Sequence, residues 1–295
     1  MLSLLLPVLH AGQTPPTGFL SSDWFIDPTV VLAAIALLTG YFYWTGPRNR
    51  NVNNPAKPVT TGQRVAFVTG TIVFLIALGP PLDDWADSYL LSAHMLQHML
   101  LMFVTGPLWL SGTPRWVFEP LAQRPLLNRI GAAVTHPVSV FFVANLIITI
   151  WHLPGPYDVA LRYEPVHVAQ HASFLVAAIL SWWPVAAPVP AWSRLSLPLQ
   201  CLYIFLMSVP SGIIGAFIAF AEPGVYHYYV TAPRLWGISV AADQEAAGVL
   251  MWVGGSVVYL AVISVLFFRW AAKEDAKESA SRPAPRPHAQ PTSGV

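Results

Sequence analysis

The sequence predicts an all-α integral membrane bundle of seven transmembrane helices, with the N-terminus outside and the C-terminus in the cytoplasm. Three observations carry that expectation. Charged residues make up only 10% of the chain and apolar types 55%, whereas a soluble globular domain carries about 25% charged residues. The mean hydropathy is +0.55, and the charges gather in short segments between seven long apolar runs. The basic residues then fall almost entirely on alternate loops.

Taken in order, residues 1–27 form an outer-face N-terminal segment. The apolar run within Met1 to Ala11 (Leu2, Leu4 to Leu6, Val8, Leu9) is too short to cross about 30 Å of hydrocarbon. It also lacks the basic start of a signal peptide, so a surface-lying amphipathic segment is expected in place of a cleaved leader. The transmembrane domain covers 28–270, with spans near 28–45, 64–82, 89–110, 136–152, 166–187, 197–220 and 246–270, each within the ~17–25 residues a crossing helix needs. Pro210 and Gly212 interrupt the sixth, which a bundle tolerates when neighbouring helices satisfy the freed backbone groups. Trp44, Trp85, Trp109, Trp116, Trp151, Trp182, Trp183, Trp236 and Trp270 lie at or just past span ends, where amphipathic indoles favour the membrane–water boundary. Residues 271–295, rich in Lys, Glu, Ser, Pro and Ala, are expected to be a disordered cytoplasmic tail on anionic lipid.

Seven spans split the cations unevenly. One set of loops holds Arg48, Arg50, Lys57, Arg64, Arg115, Arg124, Arg129, Arg194, Arg269, Lys273, Lys277, Arg282 and Arg286; the other holds Arg162 and Arg234. Thirteen against two assigns the first set to the cytoplasm by the positive-inside rule, and a changed span count would scramble the partition. A net charge of +1 offers no basis for nucleic-acid binding, and the lone Cys201 excludes an internal disulfide and a Cys-x-x-Cys redox pair.

This orientation gathers five histidines in the outer leaflet. His94-Met-Leu-Gln97-His98 and His167-Val-Ala-Gln170-His171 both read His-x-x-Gln-His on helices running the same way, and His152 closes the fourth span on the same side. Residues i and i+4 stack about 40° apart on one helix face. Each pair can therefore aim two imidazoles at one point, provided helices three and five are neighbours. A single intramembrane histidine, such as His136, is often only hydrogen-bonded between helices. Five in one leaflet, four of them in chelating pairs, form a functional hypothesis because ionisable groups at membrane depth are costly. Imidazole suits several transition metals and thioether favours Cu(I). Met95, Met99 and Met102 flank the third-span histidines, as possible auxiliary ligands, and Met251 lies in span seven; together they point to copper, held as Cu(I). Asp83, Asp84, Asp87 and Asp158 would form an acidic mouth that concentrates cations. Asp243 and Gln244 at the start of span seven would either hold ring N–H groups or cap a helix.

These strings resemble a known family. His94-Met-Leu-Gln-His-Met-Leu-Leu-Met with Gly106-Pro107 and Gly112-Thr-Pro114, then Trp151-His152-Leu-Pro154, Tyr157-Asp158, Trp182-Trp183-Pro184 and Asp243-Gln244…Met251-Trp252, are similar to the polytopic CtaG family of cytochrome c oxidase assembly factors over roughly 25–270. The resemblance implies a non-enzymatic role in maturing a haem–copper oxidase in the bacterial inner membrane, with copper delivery to an oxidase subunit and a periplasmic copper donor as partners. The single-span chaperone that shares the CtaG name relies on Cys-x-Cys, which this chain lacks.

Rival functions are testable on the same residues. A retinal protein needs a lysine in its last span, and Lys57, Lys273 and Lys277 all lie outside the spans. A zinc hydrolase would carry His-Glu-x-x-His; neither repeat has a glutamate between its histidines. A b-type haem protein could use one histidine from each helix. A copper transporter would need soft or polar ligands continuing inward, where the third span offers Met102 and Thr105, and span six the thiol of Cys201.

Overall fold

The computed structural model describes residues 26–46, 59–186, 189, 192 and 195–281. The expectations for residues 1–25, for Arg48, Arg50, Lys57, Arg194, Arg282 and Arg286, and for the tail from 282 onward lie outside the described residues. No strand occurs among the described residues. The helices are α1 (Pro28–Thr45), α2 (Thr61–Ala77), α3 (Leu82–Ser88), α4 (Leu91–Leu100), α5 (Gly106–Gly112), α6 (Glu119–Ala122), α7 (Pro125–Val134), α8 (Pro137–His152), α9 (Pro154–Arg162), α10 (Glu164–Ala186), α11 (Leu197–Phe220), α12 (His227–Val230), α13 (Val240–Val249) and α14 (Gly255–Ser281). Two π-helical segments make longer rods: Leu101–Thr105 joins α4 to α5, and Leu250–Gly254 joins α13 to α14.

Among the described residues, four helices are long and apolar enough to cross a membrane: Pro28–Thr45, Glu164–Ala186, Leu197–Phe220 and the continuous Val240–Ser281. The bent pairs α2 with α3 (41°) and α7 with α8 (62°) bring the number to six if each pair is one span. The rod Leu91–Gly112 is not among them, because His94, Gln97 and His98 dilute the hydropathy of its first half. Large apolar side chains, among them Leu32, Phe142, Leu146, Ile213, Phe217, Leu260 and Phe268, are exposed around the bundle. So much outward apolar surface fits a lipid surround.

Capping chemistry sets the starts. Asp27 accepts the Thr29 N–H at 2.7 Å, with Pro28 at the first position of α1. Thr60 and Gln63 close a reciprocal capping box on α2, which moves the second helix start back from residue 64 to Thr61. His136 is such a cap too: its Nδ1 accepts the Val138 N–H at 3.3 Å. At the far end, α14 continues through 271–281, where disorder was expected. Alanine, lysine and glutamate are good helix formers, and Lys277 pairs with Glu274 at 2.8 Å on that turn.

The rod α4–α5 sits inside the bundle, against α2, α10 and α13. It meets α10 through its π segment and α5. A Cβ on Gly106 would lie 2.5 Å from the Ala178 Cβ, so the two backbones touch there, as small residues allow between membrane helices. In the π segment the Gly106 N–H bonds to the Leu101 carbonyl. The next such donor would be residue 107, a proline without an N–H. The Trp182 indole N–H takes over, donating to the Met102 carbonyl at 2.9 Å. Trp109 likewise donates to Thr71 Oγ1 at 3.1 Å. Trp109, Trp116, Trp182 and Trp183 are buried within the bundle, whereas Trp44 and Trp236 are exposed.

Candidate metal centre

The two His-x-x-Gln-His repeats face each other across the gap between α4 and α10. Ring centroids lie 4.4 Å apart for His94 and His98, 4.3 Å for His167 and His171, 5.4 Å for His94 and His167, and 5.6 Å for His98 and His171. The His152 ring arrives from the end of α8, 5.6 Å from that of His98. All five are buried, between 0% and 7% exposed.

Buried polar atoms are normally hydrogen-bonded, yet this cluster is short of partners. Both ring nitrogens of His94 and of His98, and Nε2 of His152, His167 and His171, have no hydrogen-bond partner. His152 Nδ1 lies 2.7 Å from the Ile148 carbonyl. A carbonyl can only accept, so Nδ1 carries the hydrogen and the Nε2 lone pair stays available, the usual arrangement behind a metal ligand. Two ligand sets share His94: His94, His98 and His171, and Asp87, His94 and His167, each with its ligand atoms within 4.8 Å of one another. Ligand atoms 4.8 Å apart lie about 2.8 Å from a common centre, so movement of under about 1 Å per ring would let three nitrogens reach one ion at about 2 Å. The donor set therefore fits a transition-metal cation.

The predicted acids divide by position. Asp87, on α3, reaches His167 Nδ1 at 3.4 Å and His94 Nδ1 at 4.0 Å. Asp83, one turn earlier, accepts from Gln97 Nε2 at 2.7 Å and so orients the glutamine between the two α4 histidines. Asp83 and Asp87 line a cleft of about 360 Å³ together with Asp27, Glu164, His167 and His171. This is an acidic mouth leading to the imidazoles. Asp84 is buried on the same short helix but does not line the cleft. Asp158 lies elsewhere, accepting the Tyr228 N–H at 3.3 Å.

Asp243 and Gln244 do not reach the imidazoles; they terminate helices. Asp243 caps α4 from another rod: its carboxylate accepts the Leu91 N–H at 2.8 Å, the Ser92 N–H at 3.0 Å and the Ser92 hydroxyl at 2.6 Å. Gln244 Nε2 donates to the carbonyls of Ile218, Ala221 and Glu222, and its Oε1 accepts from the N–H of Gly224 and Val225. This ties the end of α11 to the loop that follows.

That loop delivers tyrosines that spacing alone did not single out. Tyr226 donates to the His152 carbonyl at 2.8 Å, and Tyr229 to the Ala86 carbonyl at 2.5 Å. Burial pushes both phenols above their usual range, so they stay protonated donors. The Tyr157 ring lies 5.1 Å from that of His94, and Phe174 4.2 Å from His98. Glu164, three residues before His167 on one helix face, was findable from the sequence; Tyr157 stood there only as part of a family string with no role, and Phe174 carried no signal.

Met95, Met99 and Met102 stand apart from the acidic cleft. With His98, His152 and Met251 they line a small cavity of about 30 Å³. His136 and His227 lie away from the cluster, the first capping α8 and the second exposed.

Apolar helices closed around a buried imidazole group mark the class: a helical membrane protein with a polar centre. The chain belongs to the cytochrome c oxidase caa3 assembly factor (Caa3_CtaG) family, whose family model matches residues 39–273. Its family is thus one of oxidase assembly factors. No curated protein and no solved structure compared with it gives a match.

Proposed function

We propose that the chain is a seven-span protein of the bacterial inner membrane, N-terminus outside, that holds Cu(I) on His94, His98, His152, His167 and His171 and passes it to a cytochrome c oxidase subunit during assembly. The observation that carries this reading is the convergence of five buried imidazoles with unpartnered ring nitrogens. Family membership supplies the oxidase. The rod Leu91–Gly112 is the third span and completes the count of seven, its low hydropathy explained by the ligands it carries. The thirteen-to-two basic bias supports an outer-leaflet position for the histidines, within reach of a periplasmic donor.

Neutral imidazole and thioether ligands hold Cu(I) without burying an added anion. Exchange with an oxidase's own histidines is then close to isoenergetic, and the ion moves sideways at constant depth. Packing weighs against haem: Phe174 and Tyr157 sit against the rings where a macrocycle would have to fit. The test is the His94→Ala, His98→Ala double variant. Cells carrying it should make oxidase polypeptide with little activity and recover partly with added copper, while the purified variant loses bound copper. Fully active oxidase at limiting copper would overturn the delivery role.

A further inference from the structure

The small cavity beneath the histidines has a donor set of its own. Met95, Met99 and Met102 come from one rod and Met251 from another, while His98 and His152 form the wall shared with the imidazole cluster. On α4, His94 and His98 occupy one face and Met95 and Met99 lie about 100° around it, while Met102 follows in the π segment, so His98 borders both groups. The π segments lie at this level: Met102 belongs to the first and Met251 to the second. Such segments recur at functional sites. At about 30 Å³ the cavity has room for about one water-sized occupant. His98 and His152, 4% and 5% exposed, both carry an Nε2 with no hydrogen-bond partner.

We propose that this cavity is a second metal site, a sulfur-rich station for a soft monovalent cation, Cu(I) or its analogue Ag(I), loaded from the imidazole cluster through His98. The inference rests on the copper reading above and adds a division of labour to it. The Asp87, His94 and His167 set, with its carboxylate, accepts borderline divalent ions as well. The cavity offers thioethers and no carboxylate, and thioethers favour monovalent soft ions over Zn(II). Selection for Cu(I) thus occurs after entry. The station lies deeper along α4 than the acidic mouth, next to Tyr259 and Ser211 of the rods α13–α14 and α11.

The experiment uses the purified full-length protein in lipid nanodiscs, titrated with Cu(I) against a chromophoric chelator, then with Ag(I) and with Zn(II). X-ray absorption gives the ligand types. The variants are Met99→Leu with Met251→Leu, which nearly conserve volume, and separately His94→Ala. Wild type should bind two Cu(I) and fewer Zn(II), with sulfur and nitrogen around the copper. The methionine variant should lose one Cu(I) and most of the sulfur signal while retaining nitrogen-bound copper and its Zn(II). A nitrogen-only copper signal in wild type, or an unchanged Cu(I) count in the methionine variant, overturns the second site and leaves the imidazole site standing. No copper bound to wild type at all overturns both.

Discussion

Replacing Asp243 by alanine removes the side-chain cap of α4. Leu90, at the cap position of α4, contributes no side-chain hydrogen bond. The Asp243 carboxylate, 2% exposed, takes both first N–H groups and the Ser92 hydroxyl. In Asp243→Ala the hydroxyl can turn elsewhere, but two buried N–H groups lose their acceptor at ~1–3 kcal/mol each. Water entering from the membrane edge recovers part of that, leaving a destabilisation of about 2–4 kcal/mol. Asp243→Asn keeps one acceptor oxygen and should cost about 1 kcal/mol. The same turn positions His94, three residues after Leu91, so under the proposed copper site the affinity for Cu(I) should fall ~10–100-fold, as when a ligand's supporting partner is lost. Reversible unfolding in detergent followed by circular dichroism, with a Cu(I) titration of the folded protein, reads both effects. An alanine variant with wild-type stability and affinity would refute the capping argument and with it the reason given for the aspartate.

Other outcomes follow from contacts on the remaining rods. Trp182→Phe removes the donor to the Met102 carbonyl with little change in volume and should cost about 1–3 kcal/mol of stability, read from the unfolding midpoint; no shift would mean that water serves that carbonyl equally well. Gly248→Leu places a side chain where even a Cβ meets the Ala219 N at 2.3 Å, and should separate α13 from α11 with a loss well above the ~1–3 kcal/mol of ordinary overpacking, seen as lost folded protein in membranes. Topology is checked by a reporter active only in the cytoplasm: it should work when fused after Ser281 and fail when fused near Asp84, and the reverse pattern would move the histidines to the other leaflet.

Much of this molecule can be read from local pattern. The runs at 28–45 and 197–220 coincide with α1 and α11, because an apolar stretch of that length has one stable form in lipid. The two histidine pairs were legible because i, i+4 spacing fixes a common face wherever the helix lies. What escaped depends on distant pairing. Asp243 acts on a helix 151 residues away in sequence, and nothing near it distinguishes that role from capping its own helix. The bond from Trp182 to the Met102 carbonyl is likewise invisible until Pro107 and the π segment show a carbonyl in need of a donor. The start of α2 at Thr61 follows from the capping box Thr60/Gln63, a polar signal that lies before the apolar run used to place the span.

The π segment between α4 and α5 also sets a phase. An extra residue in a helical turn rotates everything beyond it by about 100° relative to an unbroken helix. The half bearing His94 and His98 and the half bearing Gly106 are thereby aimed independently: one at the imidazoles of α10, the other at Ala178 on that same helix. Deleting a single residue within Leu101–Thr105 would restore a regular helix of nearly the same length and composition. Its length would be nearly unchanged, but its histidine face and its packing face could no longer both address α10.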